Sequence, residues 1–144
     1  MNQNIARQLV KVLAILRALY HVHQTNHWSV GGPNYYGNHL LLQRLYEGVT
    51  PEIDALGEKL VGYFGVNVVD GVTSIENVAQ IVKTICAAGN DRLVRSLEGE
   101  RALISALEAV RSAGPLPAGV DDWVAATANA HETNIYLLQR AIAN

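Results

Sequence analysis

The sequence predicts an all-α protein built as a single four-helix bundle. Three observations carry that expectation. Apolar residues recur at i, i+3 and i+4 along four long segments and one shorter one; no stretch alternates apolar and polar residues at strand spacing; and breaks rich in Gly and Pro separate the segments. At 144 residues and 49% hydrophobic content, the chain has material for one domain, residues 1–144, with one core. Disordered, collagenous and disulfide-knot classes are excluded by the same composition.

The first helix is expected over about residues 4–30. Ile5, Leu9, Val12, Leu13, Leu16, Leu19 and Tyr20, then His23 and His27, fall on one stripe. Gly31-Gly32 end it, and Pro33 suits the first position of the next helix, where a missing N–H costs nothing. The second helix is expected over about residues 34–64, with Leu42, Leu45, Val49, Ile53, Leu56, Leu60 and Phe64 facing the core. A kink is expected near Gly48 and Pro51, because proline cannot donate the helical hydrogen bond. Similar lengths and a tight turn make these two helices antiparallel neighbours. Asp70-Gly71 marks a turn, Thr73 and Glu76 fit a capping box, and a short helix follows to about Ala88, where Gly89-Asn90 break it. A third long helix is expected over about residues 91–113, a rigid loop over 114–119, and a fourth long helix over about 120–142. Two antiparallel pairs joined by a crossover that holds its own short helix describe the ferritin-like topology.

Thirteen acidic and eleven basic residues give a formal charge of −2, and the basic residues are scattered, so no stripe for nucleic acid or anionic membrane is expected. The lone Cys86, flanked by Ile85 and Ala87, reads as a small buried hydrophobe in a reduced compartment. No signal-peptide pattern and no membrane-length apolar run occur, which predicts a cytoplasmic protein.

His27 and His39 flank the Gly-Gly-Pro turn at similar distances, so antiparallel helices bring them to one level, where two imidazoles suit a shared metal. Asp54 and Glu58 are i and i+4 on the second helix, off its core stripe, so both carboxylates project from one face. Taken alone, such acids read as solvated surface and His27 as a satisfied, partly buried histidine. His39 and Asp54, however, lie fifteen residues apart on one helix, about 22 Å at a rise of about 1.5 Å per residue. No single ion with bonds of about 2 Å spans that length. Either the pairs are unrelated, or a second chain packed antiparallel about a two-fold axis brings its acids to the first chain's histidines, creating two identical sites. Thr50, Gly57 and Val61 lie on or near the acid face, and a glycine such as Gly57 inside a helix costs about 1 kcal/mol unless close approach needs it. His131 lies on the apolar stripe of the fourth helix and reads as a core histidine, His21 faces the polar side of the first, and His23 is a candidate neighbour of the ligands. Asp121 and Asp122 open the fourth helix, where negative charge favours the helix dipole.

Residues 27–58 resemble the signature of the Dps miniferritins, the DNA-binding proteins from starved cells. His27-Trp28, Gly32-Pro33-Asn34-Tyr35, His39 and Asp54-x-x-x-Glu58 stand in that family's order and spacing. The resemblance implies a hollow homododecamer that oxidises Fe2+ with hydrogen peroxide or O2, stores the ferric mineral and protects against oxidative damage. It places ferroxidase sites at two-fold interfaces, with metal ligands His27 and His39 from one subunit and Asp54 and Glu58 from its neighbour. It makes Trp28 a candidate for electron transfer, with Tyr35, Tyr36 and Tyr46 as further candidates and simple packing as the alternative. It matches Asp121 and Asp122 to acids that line three-fold pores. Imidazole and carboxylate hold Fe2+ with open positions and favour the ferric product; the same donors also suit zinc.

Some features depart from the wider pattern. No Glu is followed three residues later by His, so the intrachain di-iron motif of larger ferritins is not expected. The termini lack the Lys/Arg-rich tail that neutralises phosphates, so DNA binding is expected to be weak or absent. Ser29, Gly32 and the Thr50-Pro51 pair are less usual for the family. The leading expectation is an iron-storing ferroxidase, the alternatives being a structural nucleoid shell or a ferritin-like shell with a zinc-bound or inactive site.

Overall fold

Asn2 starts the first helix, because its side-chain oxygen accepts the Ile5 N–H at 2.9 Å and so satisfies one of the orphan donors of α1 (Gln3–Ser29). The same side chain donates to the carbonyl of Ala113 at 3.3 Å, tying this end of α1 to a residue more than a hundred positions on. The computed structural model describes residues 1–143; Asn144, the end of the C-terminal segment read above for basic charge, lies outside the described residues.

After the turn at Gly31–Asn34, with Gly32 at φ +95°, α2 (Tyr35–Phe64) runs uninterrupted through Pro51. Pro33 therefore sits in the turn and not at the first helical position, since the Tyr35 N–H already bonds back to the Gly32 carbonyl at 3.1 Å. A short 3-10 turn, Val66–Val68, leads to α3 (Gly71–Cys86). Here the expected capping box gives way to a stronger cap. Asp70 takes the extended conformation and its carboxylate accepts the Thr73 N–H at 2.8 Å, so the helix begins two residues before Thr73. Cys86 ends α3 half-buried, less enclosed than its apolar neighbours suggest.

Asp91 caps α4 (Arg92–Ser112) by accepting the Val94 N–H at 3.0 Å. The last helix, α5 (Ala118–Ala143), starts slightly earlier than expected, because the Pro117 carbonyl accepts the N–H groups of Val120 and Asp121 at 3.0 and 2.9 Å. No strand occurs among the described residues, and none of their helices is long and apolar enough to cross a membrane.

Helix α1 packs against both α2 and α4, α4 packs against α5, and α3 lies across α1. Leu9, Leu16 and Leu19 of α1 meet Leu56 and Leu60 of α2 and Leu103 and Leu107 of α4 in the main core. Ala14, Ala18 and Val22 form a small-residue strip on which Val78 and Ile85 of α3 sit. Leu42, Leu45, Leu93, Leu97 and Leu138 close the end of the bundle near the α1–α2 turn. The tightest approach is at Gly99, where a Cβ would lie 2.6 Å from Leu19 Cδ2 and 3.4 Å from Ile85 Cδ1.

Overpacking a fully buried leucine outweighs the helix propensity gained by removing a glycine. Gly99→Val is expected to lower unfolding stability by about 1–3 kcal/mol in urea denaturation. A variant as stable as the parent would mean that Leu19 can move aside freely and that Gly99 does not set the α1–α4 distance.

Candidate metal centre

His27 near the end of α1 and His39 near the start of α2 face each other across the turn, as their sequence positions require of an antiparallel pair. Each holds the other. His27 Nδ1 donates to the His39 carbonyl at 2.7 Å, and His39 Nδ1 donates to the His27 carbonyl at 2.8 Å. The rings stack with centroids 3.7 Å apart and 14° between their planes. Because a carbonyl only accepts, each Nδ1 carries a hydrogen, and Nε2 is the nitrogen of each ring left to act as an acceptor or ligand. Neither Nε2 has a hydrogen-bond partner among the described residues, and no buried side-chain nitrogen or oxygen there is unpartnered, so both Nε2 atoms reach solvent. Tyr46 sets its ring edge-on to His27 at 5.3 Å, and Tyr35 stacks on His39 at 5.1 Å. These contacts fix the orientation of both imidazoles and leave Nε2 of each without a partner.

Asp54 and Glu58 are exposed on α2 and have no ion-pair or hydrogen-bond partner among the described residues. The unbroken helix between them and His39 keeps the separation of about 22 Å. Within the chain the two histidines and the two acids are therefore not brought together. Trp28 is 65% exposed beside His27. Asp121 pairs with Arg111 at 2.9 Å on the surface, and Asp122 is exposed next to it.

A second ionisable cluster lies in the bundle centre, and sequence reasoning missed it as a unit. Its members are His23 from α1, Glu52 from α2, Glu100 from α4 and His131 from α5. His23 is thus a core residue whose ring nitrogens bond other helices and not His27: its Nε2 donates to Glu100 Oε1 at 2.9 Å, and its Nδ1 meets Ser96 Oγ at 2.9 Å. Asn26 donates to Ser96 Oγ at 2.8 Å, and Asn134 donates to Glu100 Oε1 at 3.3 Å. His131 Nδ1 donates to Glu100 Oε2, and His131 Nε2 donates to the Glu52 carboxylate at 2.9 and 3.0 Å. His23 and Glu100 are wholly buried, and His131 is 1% exposed. Burial pushes the Glu100 carboxyl up, but hydrogen bonds from His131 and His23 outweigh it and bring it down to about 2. Burial pushes His131 down, but its bonds to Glu100 and Glu52 raise it to about 9. The signal in the sequence was the carboxylate of Glu100 on the period of Leu93, Leu97, Leu103 and Leu107, a charge on a core stripe that demands a buried partner.

A crossover-linked antiparallel bundle of this kind is a ferritin-like fold. Within that class it is the fold of the Dps proteins. The chain is similar to Dps from Thermosynechococcus elongatus, at 18% identity with a TM-score of 0.80, covering 99% of this chain and 92% of that one. It is also similar to DpsC from Streptomyces coelicolor, at 21% identity and a TM-score of 0.76 over 98% of this chain and 84% of that one. A DPS protein from Vibrio cholerae O1, described as a member of a broad superfamily of ferritin-like diiron-carboxylate proteins, matches at 14% identity and a TM-score of 0.62, over 97% of this chain and 89% of that one. No family model and no curated protein matches the sequence.

The core cluster makes stability depend on pH. The His131 contribution is complete below the ordinary imidazole value of 6.5 and is lost as pH rises through about 9. The Glu100 contribution is complete above the ordinary value of 4.5 and is lost as pH falls toward about 2. Urea denaturation is therefore expected to find maximal stability between these limits and a loss of about 3 kcal/mol on the alkaline side. A flat profile from pH 6 to pH 10 would contradict the charged state of His131.

Proposed function

We propose that this chain is the subunit of a Dps-type miniferritin, a cytoplasmic ferroxidase whose sites are shared between two-fold-related subunits of a dodecameric shell. Fe2+ is its substrate, hydrogen peroxide or O2 its oxidant, and the shell retains the ferric product. The observation that carries this reading is a divided ligand set: an oriented histidine pair with free Nε2 atoms, and an unpartnered carboxylate pair about 22 Å along an unbroken helix. An antiparallel partner superimposes opposite ends of α2 and completes both sites at once.

The acid face has the character of an interface. Nothing lies within 4 Å of a Cβ built on Gly57, so this helix-interior glycine serves no close approach inside the subunit. An open groove of about 730 Å³ between α3 and the α1–α2 pair, lined in part by Tyr20, Thr50, Ile53, Ile75, Val78 and Val82, borders the same stretch of α2. Ile75 of α3, in the groove lining, is 59% exposed, and Val72 on the same helix is 66% exposed, apolar surface that a second subunit would remove from water.

Two imidazoles and two carboxylates bind Fe2+ with positions left for the oxidant, and hard oxygen donors favour Fe3+ over Fe2+. Each Fe2+ gives up one electron; peroxide accepts a pair of them, and its O–O bond breaks to yield hydroxide. Trp28, next to His27, intercepts stray oxidising equivalents. Asp121 and Asp122 line the entry pores and draw Fe2+ inward; Arg111 leaves Asp122 as the acid free of an ion pair.

His27→Ala and Asp54→Ala are each expected to slow Fe2+ oxidation by at least about tenfold, measured by absorbance after anaerobic loading and a peroxide pulse. Mixing the two variants with subunit exchange is expected to restore about a quarter of the sites, since one site of each mixed pair is intact. No recovery after verified exchange would sink the shared site, and a wild-type shell no faster than buffer would favour a zinc-bound or structural role. Duplex DNA is expected to show no gel shift at about 150 mM salt; retention at that salt would point to a phosphate-binding surface that the charge pattern does not supply.

A further inference from the structure

Diiron-carboxylate bundles hold metal at the bundle centre, with ligands from all four helices. In this chain the same place holds one ionisable side chain from each of the four: His23, Glu52, Glu100 and His131. The donor types suit a metal, but their arrangement does not. Ligand atoms must surround one point at about 2 Å. Glu100 and Glu52 instead lie on opposite nitrogens of the single His131 ring, so an ion on Nε2 beside Glu52 is out of reach of Glu100. His23 reaches only Glu100. No group of three His, Cys, Asp or Glu among the described residues converges to hold an ion.

Proton accounting on the same contacts gives a definite result. An ionised carboxylate accepts hydrogen bonds and donates none, and a neutral imidazole donates from one nitrogen only. With both carboxylates ionised, His131, which has one on each nitrogen, carries hydrogen on both. We propose that the imidazolium of His131 takes the place of a metal ion at the centre of this bundle, holding α2, α4 and α5 together through the buried carboxylate of Glu100 and the half-buried one of Glu52, and excluding metal from the core. Glu100 extends the tie to α1 through His23, whose Nδ1 accepts from the Ser96 hydroxyl. The groups facing His131 are Glu100 on α4, Glu52 on α2 and the uncharged Asn134 on its own helix, with His23 one step further on α1. The direction of the His131 shift, upward, agrees with this geometry. The chain then folds without a metal in its core. The inference rests on the core contacts and not on iron oxidation.

The test is 15N NMR of the histidine side chains in the metal-free full-length protein, with His131 assigned by His131→Gln. The expected result is two protonated ring nitrogens on His131 at neutral pH, with titration only near pH 9. A His131→Gln chain that fails to fold is replaced by assignment through the Asn134→Asp variant, which shifts the same resonances. The second arm adds Zn2+ to the His27→Ala/Asp54→Ala chain, which lacks the proposed intersubunit ligands. Unmoved His131 resonances support the proposal. One protonated nitrogen at neutral pH, or a stoichiometric Zn2+ that moves the His131 resonances to metal-bound positions, overturns it. Neither readout uses Fe2+, so the outcome stands whether or not the protein is a ferroxidase.

Discussion

The fold is organised around one chain of hydrogen bonds in its core, His23 to Glu100 to His131 to the half-buried Glu52, which visits each long helix once. Charged groups taken out of water are costly unless each is paired and hydrogen-bonded, and here each is. The requirement is directional as well as energetic. Leucines at Leu16, Leu56 and Leu103 favour burial in any register, but a carboxylate that must meet two imidazoles fixes how α1, α4 and α5 stand along one another.

That register decides what the surface presents. With α1 and α2 held antiparallel, His27 and His39 come to one level and lock each other through their own backbone carbonyls. Helix α2 then carries Asp54 and Glu58 away from them along an uninterrupted path. The two ionisable systems have opposite characters. The core cluster is closed, with its hydrogen-bonding capacity spent inside the subunit, whereas the histidine pair and the acids keep open valences at the surface.

The glycines divide along the same line. Gly99 is needed inside the subunit, where Leu19 occupies the space of its absent side chain, while Gly57 faces open space. One helix-interior glycine thus answers to packing within the chain, and the proposed assembly gives the other its purpose.

The sequence by itself determined the fold class, because periodic apolar stripes and Gly/Pro breaks are local signals, and it singled out the histidine and carboxylate pairs because their spacing converts directly into helix geometry. Boundaries shifted where a local competitor was stronger: Asp70 over the Thr73-Glu76 box, and the Pro117 carbonyl at the start of α5. Only the tertiary structure decided the fate of His23, Glu52, Glu100 and His131. They are far apart in sequence and follow no shared motif, and Glu100 and His131 read singly as a charge and a histidine on apolar stripes. Their meaning lies in which nitrogen faces which oxygen, and that is set by the rotation and register of four helices about a common axis, which no single segment of the chain encodes.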